Sequence, residues 1–203
     1  MLSELRARRG ALPIGEKENI RLRVCDLTRE NFPELRAACI GFYWPFKGEI
    51  DFRPLVCSLL SLGAEAALPV VTEKRQPLEF WSWRPRMKLQ RGIWNIPIPG
   101  ERCTVQPTVL LVPLVGFDRA GYRLGHGGGY YDRTLASLVQ KPLSIGVGYD
   151  LGRLQTIHPQ PHDIPMDAIV TERGVERFNS RDEGLNASGR SGEAATCKSE
   201  VEP

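Results

Sequence analysis

An almost uninterrupted aliphatic run, PTVLLVPLVGFD at residues 107–118, constrains the fold more than any other part of the chain. A strand that is apolar on both sides must be covered on both sides, which is typical of parallel strands in α/β proteins. Similar segments lie at 64–71 (AEAALPVV), 142–150 (PLSIGVGYD) and 167–172 (DAIVTE). Together with the helical segments between them, they predict a single α/β domain whose parallel or mixed central sheet has helices on both faces.

Apolar residues at helical spacing predict three helices. The first is a short, basic helix at 2–11, which the LPIGE segment at 12–16 breaks. The second lies within 51–63, where Gly63 is the expected C-terminal cap. The third covers about 130–139 and follows a glycine-rich segment.

Two further segments complete the secondary-structure prediction. RAACIGFYWP at 36–45 is apolar and bounded by Pro33 and Pro45, which predicts a buried strand. Residues 72–101 hold three tryptophans, several prolines and many charges, which predicts a hairpin or a long loop rather than a helix. Long ordered loops in compact domains are usually functional.

The end of the chain differs in composition from the rest. After Phe178 there is no aromatic side chain and there are few large aliphatic ones, so we predict a folded domain at 1–178 and a disordered tail at 179–203. The five cysteines are scattered and form no CxxC pair, which favours free thiols in a reducing, cytoplasmic setting.

Charge and hydropathy narrow the function classes. The net charge of +3 is too mild to indicate a nucleic-acid or membrane partner, and no apolar run approaches the roughly 20 residues of a membrane span. The basic N-terminus lacks the apolar core of a signal peptide. A nucleic-acid-binding module is an alternative that rests only on this basic start and on the Arg/Trp-rich residues 75–91. We therefore expect small-molecule substrates and a monomer or weak dimer.

Four glycines in five positions precede the third helix, in RLGHGGGYYDRTLASL at 123–138. One explanation is a tight turn whose residues take positive φ angles. The other is a phosphate bound to bare backbone N–H groups at a helix N-terminus, with Arg123 as an added cation. Asp132 lies in the first helical turn, where the helix dipole alone favours a carboxylate; the functional alternative is a ligand of a Mg²⁺ ion beside the phosphates.

The longer stretch GFDRAGYRLGHGGGYYDRTLA closely resembles the signature of the 5-formyltetrahydrofolate cyclo-ligase family, also called methenyltetrahydrofolate synthetases. Four further blocks occur in the order of the family: GEIDF at 48–52, GIWNIPIPGE at 92–101, LLVPLVGFD at 110–118 and HDIPMDAIVTE at 162–172. The resemblance implies a NagB/RpiA-like doubly wound sheet. It also implies conversion of 5-formyltetrahydrofolate and MgATP to 5,10-methenyltetrahydrofolate, ADP and phosphate.

The resemblance also implies the site residues. Asp132 and Asp163 match the metal carboxylates of the family, although an Asp before Ile-Pro is also a common turn residue. Glu49 matches an acidic residue that contacts the pterin, and its alternative role is a charge near the start of the next helix. Trp94 matches a tryptophan of the folate pocket, although taken alone it would more often be part of the core, and Tyr43 is a candidate for another wall. The residues that match the ATP loop are Arg123, Gly125, His126, Gly127, Gly128, Gly129, Tyr130 and Tyr131, of which Tyr131 also borders the substrate.

The chain departs from the family pattern in two places. The first helix of the family carries a lysine and an arginine that contact ATP phosphates, and neither has a counterpart here. Either they precede Met1, or Arg6, Arg8 or Arg9 substitutes for them, or catalysis is impaired; alternatively, the three arginines form a solvated helix face. Gly128 stands where many members have a lysine. These departures leave open a non-catalytic relative that binds a folate or a nucleotide.

Overall fold

The computed structural model describes residues 1–178, which build a seven-stranded sheet flanked by helices. The tail predicted at 179–203 lies outside the described residues. The helices are α1 (Leu2–Ala11), α2 (Ile14–Asn31), α3 (Arg53–Leu60) and α4 (Tyr130–Ser137). The strands are β1 (Cys39–Gly41), β2 (Glu65–Val70), β3 (Glu79–Ser82), β4 (Leu89–Arg91), β5 (Pro97–Pro99), β6 (Val109–Pro113), β7 (Gly116–Phe117), β8 (Arg123–Leu124), β9 (Leu143–Val147), β10 (Ala168–Thr171) and β11 (Gly174–Arg177).

The large sheet is mixed, which confirms the predicted fold class. Its strand order is β11-β10-β9-β6-β1-β2-β3. The five inner strands run parallel to one another, while β3 and β11 pair antiparallel at the two edges. Two small hairpins, β4–β5 and β7–β8, stand outside this sheet.

The aliphatic run at 107–118 supplies β6, a strand near the middle of the sheet. Leu110 and Val112 belong to a core that includes Leu135 of α4. Val109 and Leu111 belong to a second core that α2 and α3 share. Because successive side chains of a strand point to opposite faces, the two cores lie on opposite sides of the sheet. Helices therefore cover both faces, as the continuous apolar pattern predicts.

The connections of the sheet diverge between β1 and β6. The chain passes from β1 through α3 to β2 on one side, and from β6 through α4 to β9 on the other. Where neighbouring parallel strands connect in opposite directions, a crevice forms outside their carboxyl ends, and open α/β sheets bind ligands there. The loop after β1 and the glycine segment before α4 lie at this crevice.

The structure corrects three of the predicted boundaries. The predicted helix break is confined to residues 12–13, because α2 begins immediately afterwards and continues for 18 residues. The strand predicted at 36–45 is limited to β1, since a 3₁₀ helix at Pro33–Ala37 precedes it. The third helix ends before Val139 because Leu138 takes an extended conformation with ψ 127°.

Other elements were predicted only in part. Residues 72–101 contain the expected hairpin, β4–β5, but also β3, which joins the large sheet through β2. Strand β11 has no counterpart among the predicted elements. Gly63 takes φ +105° in the turn after α3, which agrees with its predicted role at the end of that helix.

The four cysteines in the described part of the chain are free thiols: Cys25, Cys39, Cys57 and Cys103. Burial raises the pKa of the Cys25 thiol to about 11, so this thiol stays protonated near neutral pH. Within residues 1–178, no helix has both the length and the apolar character that crossing a bilayer requires.

A buried carboxylate fixes the turn that leads into the glycine segment. Asp118 is 3% exposed and lies between β7 and β8. Its Oδ1 accepts hydrogen bonds from the backbone N–H groups of Ala120 (3.0 Å) and Tyr122 (3.2 Å). Its Oδ2 accepts one from the N–H of Ile157 (3.1 Å), so the same side chain ties down the loop that follows β9.

We expect Asp118→Asn to lower the free energy of unfolding by about 2 kcal/mol, because the amide replaces one acceptor with a donor that faces a backbone N–H. Urea denaturation followed by circular dichroism measures this change. The matched control is Asp26→Asn, an exposed carboxylate in α2 paired with Arg29, for which the expected loss is below about 0.5 kcal/mol. Equal stabilities of the two variants would show that Asp118 does not hold the turn.

Candidate functional site

A cavity of about 730 Å³ lies at the carboxyl ends of β1, β2 and β6, within the size range of small-molecule sites. Four segments enclose it: the loop at 42–50, the hairpin at 92–98, the glycine loop at 125–129 and the loop at 157–163. All the residues that the resemblance assigns to the site line this cavity: Tyr43, Glu49, Trp94, Arg123, Gly125, His126, Gly127, Gly128, Gly129, Tyr130, Tyr131, Asp132 and Asp163.

The glycine loop combines turn geometry with open space. Gly127 (φ 85°) and Gly129 (φ 61°) take left-handed conformations that favour glycine, and Gly129 is the N-cap of α4. Gly125 has no such conformation, and nothing lies within 4 Å of the position that a Cβ would take there. Neither the turn nor the packing therefore requires a glycine at Gly125, whereas a ligand in contact with the backbone would.

An arginine that the sequence analysis did not single out supports this loop. Arg133, one turn into α4, donates a hydrogen bond to the carbonyl of Gly128, and its guanidinium lies 5.0 Å from the centre of the Tyr130 ring. A Cβ at Gly129 would stand 2.9 Å from the Arg133 side chain. The sequence indicates this contact only by spacing, since Arg133 follows Gly129 by four residues and residues four apart share a helix face.

Arg123 and Asp132 form an ion pair at the base of the cavity. Their side chains are 5% and 17% exposed, and Nη2 of Arg123 lies 3.0 Å from Oδ1 of Asp132. The backbone of Ile164 joins both, because its carbonyl accepts from Nη1 of Arg123 (2.9 Å) and its N–H donates to Oδ1 of Asp132 (3.2 Å). The pair thus fixes a cation near the glycine loop and holds the loop at 157–163 against α4.

The two predicted metal carboxylates lie close together, since Asp132 contacts the residue that follows Asp163. Oδ2 of Asp163 accepts a hydrogen bond from the N–H of Gln160 (2.7 Å), so the turn role of Asp163 is real. Oδ1 of Asp163 lies 3.8 Å from Nε2 of His162, which is longer than a hydrogen bond, and among the described residues no hydrogen bond is made to Oδ2 of Asp132. Because Mg²⁺ sites beside phosphates usually use one or two carboxylates and several waters, these two oxygens fit such an ion.

Glu49 lies in the loop after β1 and lines the cavity, where its side chain meets the glycine loop that precedes α4. Its side chain is only 6% exposed. Oε2 accepts a hydrogen bond from the N–H of Phe46 (3.0 Å), and Oε1 lies 2.9 Å from Nε2 of His126 in the glycine loop. The alternative role for Glu49 was a charge near the start of the next helix. Its carboxylate instead contacts the backbone of its own loop and the side chain of His126.

The three arginines of α1 have three different environments. Arg6 lines the cavity, and its Nη2 lies 2.6 Å from Nδ1 of His126. Arg9 is 3% exposed and donates to the carbonyl of Lys47 (2.8 Å), which braces the loop that carries Glu49. Arg8 is exposed. The alternative of a solvated helix face is therefore wrong for Arg6 and Arg9.

Aromatic side chains also line the cavity. Trp94 is 59% exposed and therefore not part of the core, and its ring lies edge-on to Tyr130 with the centroids 5.8 Å apart. Tyr43 is buried and donates its hydroxyl to the carbonyl of Ile50 (2.8 Å). A flat apolar slot of this kind suits an aromatic ligand ring.

Burial keeps the hydroxyls of two cavity tyrosines, Tyr43 and Tyr131, protonated. It raises the pKa of Tyr131, an effect that the negative charge of Glu49 reinforces and the positive charge of Arg123 opposes. Burial and the charge of Glu49 likewise raise the pKa of Tyr43. Both hydroxyls are therefore neutral donors near neutral pH, and the charges around the cavity come from arginine, lysine and carboxylate groups.

Comparisons with known proteins give a consistent result. The model of the 5-formyltetrahydrofolate cyclo-ligase family matches residues 4–172. The 5-formyltetrahydrofolate cyclo-ligase of Escherichia coli strain K12 is 31% identical over 178 residues, which cover 84% of this chain and 98% of that protein. The enzyme of the same name from Mycolicibacterium smegmatis is 34% identical over 143 residues, covering 66% and 73% of the two chains.

Two solved structures share the fold. The 5,10-methenyltetrahydrofolate synthetase of Aquifex aeolicus superposes with a TM-score of 0.76 at 31% identity, covering 95% of this chain and 94% of that one. The 5,10-methenyltetrahydrofolate synthetase of Mycoplasma pneumoniae gives a TM-score of 0.69 at 24% identity, over 84% and 96% of the two chains. The second similarity bears on the fold alone.

Proposed function

The chain belongs to the 5-formyltetrahydrofolate cyclo-ligase family, and from this premise we propose that it converts 5-formyltetrahydrofolate and ATP to 5,10-methenyltetrahydrofolate, ADP and phosphate. One observation carries the proposal. One part of the wall of a single cavity, the nucleotide end, has bare backbone and a buried arginine. Another part, the folate end, has a buried carboxylate and aromatic side chains, and the two parts meet where His126 contacts Glu49. A reaction between a nucleotide and a flat heterocycle needs both parts.

The nucleotide end comprises the glycine loop, the start of α4 and Arg123. Free N–H groups at a helix N-terminus and in a glycine loop bind phosphate oxygens, and Gly125 leaves room for them. The guanidinium of Arg123 adds a positive charge that is held in place by Asp132 and Ile164. Asp132 and Asp163 are the residues that would hold Mg²⁺, which when bound neutralises charge on the phosphates.

The folate end comprises Glu49 and the aromatic side chains. The N–H donors of a pterin ring match a carboxylate acceptor, and Glu49 is nearly withdrawn from water, which strengthens such hydrogen bonds. Trp94, Tyr43 and Tyr131 would hold the ring and keep water away from the reacting formyl group.

The proposed chemistry needs positioning rather than a nucleophilic side chain. The formyl oxygen of the substrate attacks the γ-phosphorus of ATP, and ADP leaves. N10 of the folate then attacks the activated formyl carbon, the carbon–oxygen bond breaks, and phosphate departs with the former formyl oxygen while N10 loses its proton. Arg123 stabilises the negative charge of the transferred group, and Glu49 fixes the ring so that N10 reaches the carbon.

The free thiols of the described residues support a reducing, cytoplasmic setting. We propose that the enzyme acts there as a monomer or weak dimer, because the cavity is enclosed by segments of one chain.

The test is a spectrophotometric assay that follows the absorbance of 5,10-methenyltetrahydrofolate when the purified chain is mixed with 5-formyltetrahydrofolate, ATP and Mg²⁺. We expect turnover that needs all three components and releases one phosphate per product. Omission of ATP and chelation of Mg²⁺ are the controls. Calorimetry that shows tight folate or nucleotide binding without turnover would instead identify a non-catalytic relative.

A further inference from the structure

The side chain of His126 connects two elements that are far apart in sequence. Its Nδ1 lies 2.6 Å from Nη2 of Arg6 in α1, and its Nε2 lies 2.9 Å from Oε1 of Glu49 in the loop after β1. The three side chains form one hydrogen-bonded row along the cavity wall. The row joins α1 and the glycine loop to the loop that carries Glu49.

The chemistry of the partners fixes where the imidazole carries its proton. A guanidinium has only donors, so Nδ1 of His126 must accept from Arg6. A neutral imidazole has one N–H, and with Nδ1 as acceptor that N–H is on Nε2, where it donates to Glu49. Arg6 therefore selects the tautomer that serves Glu49.

The Glu49 carboxylate is held at both oxygens. Oε1 receives the His126 N–H, and Oε2 receives the backbone N–H of Phe46. The Phe46 ring also lies edge-on to the imidazole, with the centroids 5.9 Å apart. A buried carboxylate fixed in this way presents its remaining lone pairs to the cavity in one direction.

We propose that His126 is a positioning residue for the folate end of the site: its side chain orients Glu49, in the tautomer that Arg6 selects. The inference rests on the proposed function, since it assigns Glu49 to the 5-formyltetrahydrofolate ring. It also gives the side chain and the backbone of His126 different roles. The side chain acts on the folate end through Glu49, whereas a nucleotide held by the glycine loop needs only the backbone of His126.

Two amide variants separate the two contacts of the imidazole. In His126→Gln, the side-chain amide reaches about as far as Nε2 and keeps a donor for Glu49. In His126→Asn, the amide reaches only the position of Nδ1, so the contact with Glu49 is lost. Because His126 is in a loop and its side chain is 32% exposed, we expect both variants to fold, and thermal melts check this.

Calorimetry on these variants gives the decisive comparison. The Kd and KM for 5-formyltetrahydrofolate should rise about 10-fold or more in His126→Asn, as for loss of one hydrogen bond to a charged group, and stay within about 3-fold of the wild type in His126→Gln. The Kd of a non-hydrolysable ATP analogue should change less than about 2-fold in both. Equal folate affinity in the two variants, or loss of nucleotide affinity alone, would overturn the inference.

Arg6→Met tests the other half of the row. Measured without nucleotide, the variant should bind 5-formyltetrahydrofolate several-fold more weakly, and the Arg6→Met/His126→Asn double variant should be no worse than His126→Asn alone. Additive effects would contradict an action of Arg6 through His126. In the wild type, two-bond ¹H–¹⁵N spectra should show His126 protonated on Nε2, and a proton on Nδ1 would overturn the assignment.

The outcomes distinguish this inference from the proposed function. If the wild type binds neither 5-formyltetrahydrofolate nor the ATP analogue, the proposed function is wrong and the inference falls with it. If the wild type binds both and turns over, but the Asn and Gln variants behave alike, only the role of His126 is wrong.

Discussion

Replacing Gly125 with valine is expected to weaken nucleotide binding by at least about 100-fold while leaving the chain as stable as before. Nothing lies within 4 Å of the Cβ position, and the backbone there is not left-handed, so the free protein accommodates the side chain. Phosphates bound against the loop would collide with the valine side chain, so the complex does not accommodate it. Loss of two charge-assisted hydrogen bonds, at about 1.5 kcal/mol each or more, corresponds to a decrease of this size.

The measurement is the Kd of a non-hydrolysable ATP analogue by calorimetry, with the free energy of unfolding from urea denaturation beside it. Gly125→Ala should show a smaller effect in the same direction, because its side chain is smaller. Gly15→Val is the matched control, since Gly15 also has open space around its Cβ position but lies in α2, outside the cavity lining. Unchanged nucleotide affinity in Gly125→Val would show that no ligand contacts the backbone at this point.

Glu49→Gln is expected to lower kcat/KM for 5-formyltetrahydrofolate about 30- to 150-fold, with the Kd of the ATP analogue nearly unchanged. The amide keeps the shape of the side chain but loses its charge, and its NH₂ group would face either the donor of His126 or the donors of the pterin. An unsatisfied or opposed donor at a site that is 6% exposed costs about 2–3 kcal/mol, and each 1.4 kcal/mol is one factor of ten.

Steady-state kinetics with each substrate varied in turn separates the two effects. Glu65→Gln serves as the control, because Glu65 is exposed at the first residue of β2, the end of the strand opposite to the cavity. Folate kinetics of Glu49→Gln equal to those of this control would remove Glu49 from the substrate site.

The fold was predictable where strands are apolar on both faces and helices have a clear apolar stripe. The strands β2, β6, β9 and β10 and the helices α3 and α4 arise from such segments. Helix α2 was missed because Pro13 and Gly15 suggested a loop, although Pro13 is in fact its N-cap. The edge strands β3 and β11 are short, and pairing with a neighbouring strand rather than a local pattern defines them.

The candidate site was predictable where a motif carries it. The glycine loop and its flanking Arg123 and Asp132 are contiguous in sequence, so the sequence alone brings them together, although their spacing fits both a tight turn and an anion site. The contacts of Arg6 with His126 span 120 residues, and those of His126 with Glu49 span 77. No local pattern encodes such pairs, because they exist only once the loop after β1 and α1 have packed against the glycine loop.

The proposed function depends on the glycine loop holding the triphosphate of ATP, and a crystal structure of the chain with Mg²⁺ and a non-hydrolysable ATP analogue tests this contact. We expect phosphate oxygens within hydrogen-bond distance of backbone N–H groups at 125–130, with the Arg123 guanidinium beside them and the metal bound to Asp132 or Asp163. A nucleotide bound outside the cavity, or phosphates that leave these N–H groups without a contact, would contradict it.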